Sequence, residues 1–67
     1  MIGNMSIGSE ARRIRKSQYK TLQDIQNITK LSKSTISAFE RGKSNFTINT
    51  ITQISKALNV TVEELKK

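Results

Sequence analysis

Residues 32–42 read SKSTISAFERG, eleven residues in which only Ile36, Ala38 and Phe39 are apolar. The chemistry they offer is hydrogen bonding rather than bond making. Lys33 donates, the hydroxyls of Ser34 and Ser37 donate or accept, and Ala38 is short enough to admit a close neighbour. Nothing else in the chain suggests catalysis. There is no His and no Cys, and the five carboxylates are scattered. Glu63 and Glu64 are adjacent and so fall on different faces of a helix, while Gly3, Gly8 and Gly42 form no phosphate-cradling loop. The same composition excludes disulfides and the usual zinc spacings, so neither a metal nor a cofactor is expected.

Charge points to the class of partner. Twelve Lys and Arg face five Asp and Glu, a net charge of +7. Residues 1–45 hold nine of the basic side chains (Arg12, Arg13, Arg15, Lys16, Lys20, Lys30, Lys33, Arg41, Lys43) against Glu10, Asp24 and Glu40, whereas residues 46–67 carry three basic and two acidic. A basic excess concentrated in one part of a small chain suits a polyanion, usually nucleic acid. The plainer alternative is a solubilising charge. No stretch approaches the ~20 apolar residues of a membrane span, and no signal-peptide run is seen. The expectation is a soluble cytoplasmic protein with no membrane partner.

A chain of 67 residues is one small domain whose stability must come from packing, most cheaply from local helix pairs. Apolar residues recur at helical spacing and no run alternates as a strand does. Ile7, Ala11 and Ile14 predict a first helix from Ser6 or Ile7 to Ser17, with residues 1–5 a flexible N-terminus and 6–67 the domain. Thr21 with Asp24 reads as a cap opening a second helix striped by Leu22, Ile25 and Ile28. Ser32 caps a third, anchored by Ile36 and Phe39 and ended by Gly42. Thr47 caps a fourth, with stripe Ile48, Ile51, Ile54, Ala57 and Leu58, and Asn59 is suited to the left-handed turn that ends it. Thr61 with Glu64 is a full capping box for a last turn through Val62 and Leu65.

Only Lys30, Leu31 and Ser32 separate the second helix from the third, the spacing of a helix-turn-helix. With TLQDIQNITKLSKSTISAFERG in its middle and ALNVTVEEL at its end, the chain resembles, over residues 7–66, the Xre/Cro-type (lambda-repressor-like) helix-turn-helix family. The resemblance implies an all-α, compact five-helix bundle that binds operator DNA through its third helix. It departs from the family at Leu22, where a phosphate-touching Gln is usual, at Gln26 in place of a small Ala, and at Lys30 in place of a turn Gly. Tyr19 and Lys20 likewise replace a Gly and a Leu.

With Ile36 and Phe39 turned inward, Lys33, Ser34, Ser37 and Ala38 project from the start of the third helix, where major-groove readers contact bases. Lys33 suits guanine O6 or N7, the serines suit either edge, and the Ala38 methyl suits thymine. The resemblance implies backbone contacts from Thr21, Leu22 (through its amide), Gln23, Thr35, Lys43, Ser44 and Asn45. It also implies an ion pair between Arg15 and Glu40 tying the reading helix to the bundle, with Arg12 and Arg13 as solvated helpers and Phe46 as packing. A dimer surface would use Val60, Val62 and Leu65. The implied function is a sequence-specific transcriptional regulator, a repressor binding a palindromic double-stranded operator as a homodimer, in a prokaryotic cell or phage-infected host. The alternative is a protein-binding module such as the antitoxin of a toxin–antitoxin pair.

Overall fold

The computed structural model describes residues 3–42 and 46–66. Within them lie five helices and no strand: α1 (Gly3–Ser17), α2 (Leu22–Thr29), α3 (Lys33–Glu40), α4 (Ile48–Ala57) and α5 (Val62–Leu65). The first helix begins earlier than its apolar stripe predicts. It takes in Gly3, Asn4 and Met5, because no proline interrupts the backbone ladder there. Met1 and Ile2 lie outside the described residues, as do Lys43, Ser44 and Asn45.

Each of the other four helices opens on a hydroxyl. Thr21 Oγ1 accepts from the Asp24 amide at 3.1 Å while Asp24 Oδ2 accepts from the Thr21 amide at 2.8 Å. Ser32 caps α3 through the Thr35 amide and Thr47 caps α4 through the Thr50 amide. Thr61 and Glu64 close the second reciprocal box. Each cap contributes about 1 kcal/mol, which matters in helices of four to ten residues that would not persist alone. Three side-chain-bearing residues end elements with positive φ, Tyr19 at 59°, Lys30 at 68° and Asn59 at 60°, and Gly42 follows α3 at 66°.

The core gathers Ala11 and Ile14 from α1, Ile25 from α2, Ile36 and Phe39 from α3, and Ile51, Ile54 and Ala57 from α4. Leu58 and Leu65 complete it. Phe46 packs edge-on against Phe39 with ring centroids 5.4 Å apart. Three sequence assignments change. Leu65 is 0% exposed and closes the core, so it belongs to no dimer surface. Ile28 and Ile48, expected in the inner stripes, are 56% and 63% exposed. Ile28 lies in the last turn of an eight-residue helix and Ile48 at the first position of α4, where the neighbouring helices no longer cover them.

One close approach sets the geometry between α1 and α3. A Cβ added to Gly8 would fall 2.0 Å from the Phe39 carbonyl oxygen and 3.1 Å from the Glu40 backbone. Only the missing side chain lets the two backbones touch. Gly8→Ala must therefore push α3 away, and overpacking of this kind costs about 2 kcal/mol. We expect its thermal midpoint, followed by circular dichroism, to fall by roughly 8–16 °C. An unchanged midpoint would show that the contact gives way freely. Tyr19→Gly tests the opposite sign. Its side chain is 93% exposed, so glycine loses almost no packing while relieving a left-handed backbone, and the same measurement should show a gain of about 1 kcal/mol.

Candidate nucleic-acid interface

The eight residues of α3 divide cleanly. Ile36 and Phe39 are 1% and 3% exposed and lock the helix to the bundle. Lys33 and Ser34 are exposed, and Ser37 and Ala38 are half-buried on the side away from the core. At the start of the helix, Ser32 Oγ donates to Thr35 Oγ1 at 2.9 Å and lies 3.2 Å from Ser34 Oγ. The Thr35 hydroxyl thus accepts from within and keeps its own proton for an acceptor outside. A short, polar outward row on a rigidly seated helix is what a major-groove reader needs, since small side chains allow the backbone close to the base edges.

Glu40, at the end of α3, is seated by Arg15 of α1. Arg15 Nε donates to Glu40 Oε2 at 2.7 Å and Nη2 donates to Oε1 at 3.1 Å, a two-pronged pair in which each residue is 8% exposed. The third prong, Nη1, donates to the Lys20 carbonyl at 2.8 Å. The hydrogen bonds that it donates to Glu40 hold the Arg15 guanidinium above its already high ordinary range, so Arg15 remains charged. The expected ion pair is present, and its guanidinium is consumed by the fold. Arg12 approaches the same carboxylate at 4.0 Å with its side chain 56% exposed. Arg13 pairs instead with Glu10 one turn back on α1, which raises its pKa through that hydrogen bond.

The start of α2 flanks the reading row. Leu22 is half-buried and packs on the core, so only its amide faces outward chemistry. Thr21 uses its hydroxyl oxygen and its amide in the capping box, leaving the hydroxyl proton to donate. Gln23 donates to Asn27 Oδ1 at 3.0 Å along the exposed helix face. The Asp24 carboxylate already occupies the positive end of α2, which weakens that end as a phosphate site. Two tethers absent from the sequence reading hold the α1–α2 turn: Lys20 Nζ donates to the Ala57 carbonyl at 2.9 Å and Gln18 Nε2 to the Leu58 carbonyl at 2.8 Å. No local signal announces them, because donor and acceptor are 37 and 40 residues apart. The remaining expected dimer residues, Val60 and Val62, are half-buried beside α5. Among the described residues no helix is long and apolar enough to cross a membrane, and no cluster of potential metal ligands occurs.

Two short helices joined by three residues, the second seated by a core and presenting a polar face, define a helix-turn-helix protein. The chain belongs to the HTH_3 helix-turn-helix family, whose model matches residues 12–65. This Xre/Cro-like family is one of DNA-binding transcriptional regulators rather than enzymes. No curated protein matches the chain. Among solved structures it is similar to the restriction-modification controller protein C.AhdI from Aeromonas hydrophila, with a TM-score of 0.85 and 23% identity over 91% of this chain and 92% of that one. It is similar also to the clp gene regulator ClgR from C. glutamicum, at 0.86 and 21% over 92% of this chain and 80% of the other. An HTH_3 family transcriptional regulator from Vibrio cholerae superposes at 0.87 with 26% identity over 96% of this chain, which spans 36% of that protein's chain.

Because the Arg15–Glu40 pair is buried, losing one partner strands the other charge. Arg15→Met and Glu40→Leu should each lower stability by about 3 kcal/mol in urea unfolding, while the two combined should recover much of the loss. Additive losses in the double variant would show that the two residues act independently.

Proposed function

We propose that the chain is a sequence-specific double-stranded DNA-binding regulator, acting as a repressor, that reads the major groove with α3. The observation that carries this reading is the outward row of Lys33, Ser34, Ser37 and Ala38 on a helix whose other face is fixed by Ile36, Phe39 and the buried Glu40. Lys33 donates to guanine, the serines read either edge, and the Ala38 methyl rests against thymine. Thr21, Gln23, Thr35 and the Leu22 amide, with Lys43, Ser44 and Asn45 further along the sequence, hold phosphates and set the register. The +7 net charge supports the same partner. The similar structures of a restriction-modification controller and of a gene regulator are in keeping with it.

A single module of this size binds weakly, so tight binding requires two copies on a two-fold operator with half-sites roughly 34–36 Å apart. The homodimer forms on DNA, with Val60 and Val62 near the contact. Repression follows from position, the bound dimer obstructing polymerase in the cytoplasm of a prokaryotic cell.

Selection of bound duplexes from a random pool at two salt concentrations tests the reading. It should enrich a roughly palindromic motif, whereas binding without enrichment would reduce the protein to a non-specific basic module. On the enriched duplex, Lys33→Ala with Ser37→Ala should abolish discrimination against random DNA with the melting curve unchanged. Full discrimination by that double variant would remove α3 as the reader.

A further inference from the structure

Two clefts open side by side against α1. One, of about 250 Å³, is lined by Arg12, Arg15, Leu22, Ser37, Glu40 and Arg41. The other, of about 390 Å³, is lined by Ser9, Arg12, Arg13, Lys16, Glu40 and Arg41. They share Arg12, Glu40 and Arg41, so together they make one groove from the exposed side of α1 to Ser37 on the reading row. Its only carboxylate, Glu40, is already bound twice by Arg15. Among the described residues neither Lys16 nor Arg41 pairs with a carboxylate, and both are exposed. The groove therefore carries uncompensated positive charge beside the helix that reads bases.

We propose that Arg12 and Arg41 clamp a phosphodiester of the DNA backbone in this groove, with Lys16 at its outer end. The assignment rests on the reading of α3 above and names a contact that reading lacks. Two observations favour a backbone phosphate as the occupant. The groove is open and, Leu22 apart, its lining residues carry charged or hydroxyl groups, unlike an enclosed apolar pocket for a small molecule. It is continuous with Ser37, so a strand whose bases meet α3 must pass its mouth. Two guanidinium forks suit two phosphate oxygens, whereas Arg15, with all three of its nitrogens donating internally, has little left to offer.

The test uses the full chain and the duplex enriched by selection. In Arg12→Gln with Arg41→Gln, the logarithmic salt slope should become shallower by about 1 unit, so the loss of affinity from ~50 to ~200 mM salt shrinks about fourfold. Base preference should be unchanged. Phosphate ethylation then distinguishes local contact from net charge. One or more ethylated phosphates that weaken the unaltered protein should have no further effect on the variant. Lys56→Gln with Lys66→Gln, which removes equal charge elsewhere, should keep the original ethylation pattern. If the double arginine variant melts early, Arg41→Gln alone gives the same ethylation readout. An ethylation pattern retained in the arginine variants overturns the groove while leaving the regulator reading intact. An unaltered protein that binds no duplex overturns the reading itself.

Discussion

The attachment of α3 to α1 governs everything this protein does with its surface. α3 has eight residues, too few to hold a helical shape alone, and it commits only Ile36 and Phe39 to the apolar core. Hydrophobic contacts are non-directional and would leave such a helix free to roll. Two features of α1 remove that freedom. Gly8 brings the α1 backbone against the Phe39 and Glu40 backbone, and Arg15 grips Glu40 through both carboxylate oxygens. The first sets a distance and the second sets a rotation. A buried ion pair is a weak source of net stability, because desolvating both partners offsets most of their attraction. Its value here is orientation, since the bidentate geometry tolerates little rotation of the helix that carries Glu40.

That arrangement divides the cationic residues into two groups. Arg15 and Lys20 spend their donors on carbonyls and a carboxylate inside the molecule. Lys33, Arg12, Lys16 and Arg41 remain at the surface, on or beside the outward side of α3. In the proposed function, long-range attraction to a polyanion comes from the second group, while sequence preference falls to the short side chains between them. Small residues at the reading positions are consistent with this, because bulk there would hold the backbone away from the groove.

Much of the fold was legible because its signals are local. A cap joins residues three apart, so Thr21 with Asp24, Ser32 with Thr35, and Thr61 with Glu64 could be read from spacing alone. The left-handed turn at Asn59 was legible for the same reason. Ile28, Ile48 and Leu65 show where periodicity stops being informative. A 3.6-residue stripe gives the angle of a side chain around its own helix, but not whether a neighbour reaches far enough to cover it. Ile28 and Ile48 lie at helix ends beyond that cover, whereas Leu65, on a single turn, is fully enclosed.

For the candidate site the division is similar. Which side chains of α3 can face outward follows from the sequence, since Ile36 and Phe39 fix the inward direction. The roles of the arginines do not. Arg12, Arg13 and Arg15 are near neighbours on one helix, yet one stays exposed at the edge of Glu40, one pairs with Glu10 and one is buried against Glu40. By itself, the sequence determined the five helices, their caps and the polar outward row of α3, because each depends on interactions spanning three or four residues. Only the tertiary structure decided which cations are consumed and which stay available, because the partner that distinguishes them, Glu40, is 25 residues away from Arg15 along the chain.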